Sequence, residues 1–424
     1  MRVLIITLTL FIISGLVVKA QDPEERPDKQ IVQNRSNHTD SYDKPYVIMV
    51  SLDGFRYDYA EKYNAQNLLA MAEKGFSVEQ LIPSYPTKTF PNHYSLVTGM
   101  YPSSHGLVSN EYFNPEKKQY YKVSNREVVE DGSWYGGTPL WVLAEQQGML
   151  SASYFWVGSE ADIQGIHPNY HYKYDGSVPN EKRVDQVLSW LDLPESERPH
   201  LLMLYFSLTD DVGHAFGPDS EQIKDAVIEI DGIIGRLRNG ISESNLPVNL
   251  IVTSDHGMVN ARRPIRLRSV DFGNSAVSKS MPLMVYQQDS SEVYRIYEDL
   301  KEVANITVYL KQDIPESLNF NNHDNIGQII AITEPPYVIS DRFMLSAATH
   351  GFNPVTVTEM NTIFYAEGPN IKMGRIPSAR NVDVFPLVRS ILCSGSLSIK
   401  IDLTSGNTST FRADGILPIL MFGP

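Results

Sequence analysis

Three carboxylates and three imidazoles carry the chemistry this chain can do: Asp53, Asp210, His214, Asp255, His256 and His350. Their oxygen and nitrogen donors, in a chain whose single cysteine is Cys393, suit zinc. Six ligands exceed one tetrahedral ion and suit two, each keeping an open position. Two divalent ions roughly 3.5–4 Å apart can clamp the attacking and leaving oxygens of an in-line displacement. Three carboxylates against two such ions leave about one positive charge, which favours a phosphodiester anion.

A nucleophile is offered by Tyr85-Pro-Thr-Lys-Thr-Phe-Pro-Asn-His93. Thr89 precedes a Pro and the apolar-periodic run Tyr94–Thr98, the pattern of a helix N-terminus. Free N–H groups and partial positive charge there favour an oxyanion or a phosphate oxygen. A plain helix cap is the other reading of Thr89. A nearby divalent cation would lower the pKa of its hydroxyl without a histidine base.

These residues need elements to bring them together. Tyr46–Leu52, Leu201–Phe206 and Val248–Thr253 are continuous apolar runs, typical of strands buried on both faces. Asp53 and Asp255-His256 follow two of them, at the carboxyl ends where parallel α/β sheets carry their sites. Asp210 and His214 follow the third, spaced to share one side of a helical turn. Helical patterns over Asn67–Lys74, Thr138–Gln147, Glu181–Leu191, Ser220–Asn239 and Val382–Ile391 alternate with strands. The alternation predicts an α/β fold, a mostly parallel central sheet with helices on both faces. Ile163–Pro179 reads as a long loop over the site. After Met258 the texture changes, and a small α+β insertion is expected at about 262–345, before the chain returns to His350. The catalytic domain is expected over 45–390, with a tail at 391–424 that nothing in the pattern places.

The chain has 424 residues and 42% apolar content, enough for one large domain with an insertion. Fifty acidic against 36 basic residues give a net charge of −14, which argues against a stable nucleic-acid partner. Arg2 followed by the apolar run Val3–Val18, with Val18 and Ala20 as small residues, reads as a signal peptide over 1–20 in preference to a membrane anchor. No other run is long and apolar enough to span a bilayer. Residues 21–44 are polar and read as a flexible lead-in. An exported chain with one cysteine fits a periplasmic or secreted enzyme. Asn34, Asn37, Asn305 and Asn407 match the short glycosylation pattern, which also arises by chance.

Ser51-Leu-Asp-Gly-Phe-Arg56, Thr87-Lys-Thr-Phe-Pro-Asn-His93, Gly106-Leu-Val-Ser-Asn110, Asp210-Asp-Val-Gly-His-Ala-Phe-Gly-Pro218, Ser254-Asp-His-Gly-Met258 and His350-Gly-Phe352 occur in this order. Together they resemble the motifs of the nucleotide pyrophosphatase/phosphodiesterase family, in the alkaline phosphatase superfamily. The resemblance runs from about Tyr46 to Pro386. It implies Thr89 as a nucleophile that becomes phosphorylated. It implies one zinc among Asp53, Thr89, Asp255 and His256, and another among Asp210, His214 and His350. It implies Asn110 as donor to a non-bridging phosphate oxygen, and Phe90, Tyr174 and Tyr205 as the lining of a nucleoside pocket. Two positions depart from the pattern. Gly-Phe-Asn follows His350 where many relatives have Gly-Tyr-Asp, and Thr209 stands where Pro is common.

The expected activity is hydrolysis of nucleoside-5′-phosphodiester or pyrophosphate bonds in a small-molecule nucleotide, releasing a nucleoside monophosphate. A phospholipid or choline-phosphate diesterase on the same scaffold is the alternative. A phosphomonoesterase and a catalytically inactive binding protein stand behind it.

Overall fold

The computed structural model describes residues 27–341 and 345–393. The signal-peptide reading and the tail from 394 lie outside the described residues. A nine-stranded sheet forms the centre, its strands labelled in chain order: β1 Lys29–Ile31, β2 Tyr46–Leu52, β3 Phe76–Ile82, β4 Ser151–Tyr154, β5 Tyr170–Tyr172, β6 Leu201–Phe206, β7 Val248–Thr253, β8 Thr362–Glu367 and β9 Gly374–Arg380. The spatial order is β1-β5-β4-β6-β2-β7-β8-β3-β9. From β5 through β7 every pairing is parallel, as the apolar runs predict. The sheet is then interrupted by β8, antiparallel to both β7 and β3.

Parallel strands bury both faces, and β2 shows why its run is continuous. Val47 and Met49 enter one core with the helices Thr89–Thr98, Leu140–Gln146 and Val384–Cys393. Ile48, Val50 and Leu52 enter the other with Gln66–Lys74, Asn180–Leu191 and Glu221–Ser244. The last helix starts where Ser220 Oγ accepts from the Ile223 N–H at 3.2 Å. It buries Ile223, Val227, Ile230, Ile234 and Leu237 at helical spacing, and Asn245 ends it in the left-handed region.

Two local expectations give way. Residues 27–44 do not form a free lead-in: β1 pairs antiparallel with β5 at the sheet edge. Asn37 is buried, its Nδ2 donating to the Glu195 and Arg198 carbonyls and its Oδ1 accepting from the Leu150 N–H. That asparagine of the glycosylation pattern is therefore committed to structure. The expected loop over Ile163–Pro179 contains β5, because Tyr170–Tyr172 finds β4 as a parallel neighbour.

The chain leaves the central domain after β7 and builds a separate four-stranded antiparallel sheet from Ala276–Lys279, Leu283–Tyr286, Thr307–Leu310 and Ile329–Ile332. The helix Ser290–Lys301 covers it, with Ile296 and Leu300 packed on Leu283, Val285 and Ile329. Arg263–Ile265 pairs with Tyr337–Ile339 and draws the two ends of this unit together. The chain then re-enters at His350.

Candidate active site

The register of β2 against β6 and β7 aligns Leu52 with Phe206 and Ser51 with Thr253, so three neighbouring parallel strands end level. Asp53 follows β2 directly, and Asp255 and His256 follow β7. After β6 the helix Leu208–Phe216 begins at once and carries Asp210 and His214 on one side. Gly54 makes the close approach possible. It has φ +68°, and a Cβ there would lie 2.9 Å from the Asp210 Cα.

The six expected ligands form two groups. Asp53, Asp255 and His256 bring their donor atoms within 4.8 Å of one another, and so do Asp210, His214 and His350. In the first, His256 Nε2 lies 3.4 Å from Asp53 Oδ1 and 3.0 Å from Asp255 Oδ2. In the second, Asp210 Oδ1 lies 3.4 Å from His214 Nε2 and 3.9 Å from His350 Nε2. The His256 and His350 rings stack with centroids 3.5 Å apart, so the two groups abut.

Every imidazole in the pair of groups is held in the same way. Nδ1 of His214 faces the Ala348 carbonyl at 2.9 Å, that of His350 the Thr87 carbonyl at 2.8 Å, and that of His256 the Gly257 carbonyl at 3.0 Å. A carbonyl only accepts, so Nδ1 carries the hydrogen and each Nε2 keeps its lone pair for a ligand. Burial holds the His256 and His350 pKa values well below the usual imidazole range.

Asp53 Oδ1, Asp210 Oδ1 and Asp255 Oδ2 are buried without a hydrogen-bond partner. Buried carboxylate oxygens are normally satisfied, so three orphans in one place call for a cation. Burial, followed by the charges of Asp255 and Asp210, raises the Asp53 pKa well above the carboxylate range. Burial and then Asp210 push Asp255 up to about 8, and burial pushes Asp210 up to about 6. Two divalent ions would relieve both the desolvation and the mutual repulsion.

Thr89 opens the helix Thr89–Thr98, and the cap position before it belongs to Lys88, in an extended conformation. The Thr89 hydroxyl is therefore not spent on capping. Its Oγ1 stands 3.2 Å from His256 Nε2 at a helix N-terminus. Asn110 Oδ1 accepts from the Phe90 N–H at 3.0 Å, which fixes the Asn110 amide beside Thr89.

The expected aromatic trio divides. Tyr174 is 45% exposed and meets Tyr205 edge-on at 6.1 Å, whereas Phe90 packs against Tyr121 at 6.3 Å. Tyr205 is only 8% exposed, and its hydroxyl donates to Asp53 Oδ2 at 2.6 Å. It backs Tyr174 and orients the Asp53 carboxylate rather than presenting its own ring.

Several supporting residues escaped sequence reasoning. Lys88 Nζ donates to the His350 carbonyl at 3.0 Å. Thr87 Oγ1 donates to the Phe352 carbonyl and accepts from the Gly351 N–H, both at 2.9 Å. Residues 87–88 thus tie the His350 turn to the start of the Thr89 helix. Thr209, at the position that departs from the family pattern, donates its hydroxyl to the Asp53 carbonyl. The signal for Thr87 and Lys88 was their place beside Thr89. Thr209 gave none beyond that departure.

A sheet whose strand ends hold two donor triads beside a threonine defines a metal-centred α/β site. Residues 47–354 match the model of the family described as type I phosphodiesterase / nucleotide pyrophosphatase. Human ectonucleotide pyrophosphatase/phosphodiesterase family member 1 is 34% identical over 83% of this chain, and the match spans 40% of that protein's length. An uncharacterized pyrophosphatase/phosphodiesterase of Schizosaccharomyces pombe is 35% identical, with 82% of this chain and 76% of the relative covered. Among solved structures, human ectonucleotide pyrophosphatase/phosphodiesterase 5 superposes with a TM-score of 0.77 at 30% identity, covering 82% of this chain and 94% of that one. A murine form of the same protein, an inactive threonine-to-alanine variant in complex with AMP, has a TM-score of 0.78 at 29% identity and covers 84% and 96%. The chain belongs to the type I phosphodiesterase / nucleotide pyrophosphatase family, within the alkaline phosphatase superfamily.

Proposed function

We propose that this chain is a zinc-dependent phosphodiesterase that splits nucleoside-5′-phosphodiester or pyrophosphate bonds through a phosphothreonine at Thr89. The observation that carries this reading is the Thr89 hydroxyl, uncommitted to capping and 3.2 Å from His256 Nε2, beside two triads of orphaned donors. Asp53, Thr89, Asp255 and His256 would hold one ion, and Asp210, His214 and His350 the other. Bound there, the pair would supply Lewis-acid charge that acidifies the Thr89 hydroxyl and offsets the charge of the transferring phosphoryl group.

Thr89 Oγ1 attacks phosphorus, and the bond to the leaving oxygen breaks with its electron pair. Asn110 donates through Nδ2 to a non-bridging oxygen, its Oδ1 being engaged by Phe90 N–H. Phe90 and the exposed Tyr174 offer ring faces to the retained nucleoside, with Tyr205 behind Tyr174. Water then takes the phosphoryl group from Thr89, restoring the hydroxyl and releasing a nucleoside monophosphate. AMP in the complex of the inactive murine relative supports this product class. The run Val3–Val18, read from the sequence as part of a signal peptide, supports export. Among the described residues no helix is long and apolar enough to cross a membrane.

Purified protein is expected to cleave thymidine-5′-p-nitrophenyl phosphate, to lose the activity in EDTA and to regain it with zinc. Thr89→Ala should lower kcat by about 10³-fold or more, with metal content near that of wild type. A variant that keeps more than about a tenth of the rate would rule Thr89 out as nucleophile. Lysophospholipid turned over faster than the nucleotide ester would move the assignment to the lipid-directed reading.

A further inference from the structure

His93 closes the motif around Thr89, and the chemistry described so far gives it no task. It lies four residues after Thr89 in the helix Thr89–Thr98, one turn on and on the same side. The ring is buried. Trp156 and Tyr205 meet it edge-on, with centroids 5.4 and 5.2 Å away, and Trp156 Nε1 donates to the His93 carbonyl at 3.3 Å.

One nitrogen of this ring faces two partners. Nδ1 lies 2.9 Å from the Thr89 carbonyl oxygen. That oxygen only accepts, so Nδ1 carries the hydrogen. The same nitrogen lies 3.4 Å from Asp255 Oδ2, both side chains being 0% exposed. The second distance exceeds hydrogen-bond length. In a buried setting the N–H dipole still attracts a carboxylate oxygen across it. Asp255 Oδ1 is engaged elsewhere, by the Gly54 N–H at 3.2 Å, while Oδ2 is the oxygen 3.0 Å from His256 Nε2.

Packing alone does not account for an imidazole here. Nε2 of His93 is buried with no hydrogen-bond partner among the described residues. Leaving a buried acceptor unsatisfied costs about 1–3 kcal/mol. A phenyl ring between Trp156 and Tyr205 would carry no such cost. What a phenyl ring lacks is the N–H shared by Thr89 and Asp255.

We propose that His93 is a positioning residue, whose Nδ1–H ties the first turn of the Thr89 helix to Asp255 and so fixes Thr89 Oγ1 relative to Asp53, Asp255 and His256. The inference rests on Thr89 being the nucleophile. Thr89 Oγ1 is 3.2 Å from His256 Nε2, and moving a reacting atom by about 1 Å can cost about 10²-fold in rate. Tyr205, which flanks the His93 ring, reaches Asp53 through its hydroxyl at 2.6 Å. Two carboxylates of one donor group are thus steadied from a single packed cluster.

Three substitutions test this, because asparagine carries an N–H donor at the place of Nδ1, glutamine at that of Nε2, and phenylalanine at neither. His93→Phe and His93→Gln should each lower kcat for thymidine-5′-p-nitrophenyl phosphate about 10–100-fold, with KM within about twofold of wild type. Zinc titration of the metal-stripped protein should show one of the two equivalents bound about tenfold more weakly in both variants. His93→Asn should keep kcat and that zinc affinity at least about fivefold above both, although the space it leaves lowers Tm further than His93→Phe does. If kcat and zinc affinity instead follow Tm, with His93→Phe highest, the ring is a packing element and the proposal fails. Wild-type kcat in all three variants would overturn it equally. Wild-type protein that leaves the ester uncleaved would overturn the parent reading instead, and the order of zinc affinities would then decide the hold on Asp255 by itself.

Discussion

The two donor triads differ in how the chain holds them. Asp53, Asp255 and His256 are at most 1% exposed and stand just past the ends of adjacent parallel strands. Asp210 and His214 stand on a helix, with side chains 16% and 30% exposed, and His350 arrives on the return from the insertion. The inner triad is placed by the sheet itself. The outer one is assembled from a helix and the segment that returns from the insertion. A site can thus keep a rigid floor beside Thr89 and a more exposed wall on the side of the helix.

Chelation gives the largest test of this contrast. EDTA should remove one equivalent of metal at least about tenfold faster than the other, and the fast equivalent should be missing in His214→Ala. Metal content followed over time checks it, and a single phase would erase the distinction. Tyr205→Phe removes the hydroxyl that orients Asp53, and should cost about 10–100-fold in inner-site metal affinity or in activity. Equal weakening of both ions in a metal titration would show that the two triads are not separately supported.

The pH dependence of stability separates them in another way. Folded-state pKa values near 6 for Asp210 and near 8 for Asp255 exceed the ordinary carboxylate value of about 3.9. The folded chain then binds protons that the unfolded chain releases. With metal stripped, this stabilisation is complete below about pH 4 and is lost as pH rises through about 6 for the outer carboxylate and about 8 for the inner. Above about pH 7, where the buried histidines are neutral in both states, calorimetry should show Tm of the chelated protein falling towards about pH 8.5 as Asp255 ionises, a decline that zinc suppresses. A rising Tm would break the assignment. The smallest effect belongs to Thr209→Val, which deletes one hydrogen bond under Asp53 and should cost about 1 kcal/mol, read as a lower Tm.

The inner triad was legible for the same reason that it is rigid. β2, β6 and β7 are uninterrupted apolar runs, and an Asp directly after such a run has few places to go. The rest of the sheet was harder to see. β3 contains Ser77, Glu79 and Gln80, and β9 contains Pro377 between two arginines, which is permissible because β9 is an edge strand. Thr362–Glu367 has the composition of a strand, but its antiparallel direction is set by where the insertion returns the chain. Tyr205 sat inside an apolar run, where nothing local distinguishes a packed ring from one whose hydroxyl reaches Asp53 across the sheet. Contacts of that kind join residues far apart in sequence and leave no mark in either neighbourhood.

Gly54 has one more consequence. Any side chain at that position would collide with the main chain at Asp210 and wedge the helix away from the strand end. The gap between the two centres is thus a dimension of the backbone, set by a bare hydrogen atom. Tuning toward new substrates must act on the rim and the roof, because the span that bridges the reacting atoms admits no adjustment.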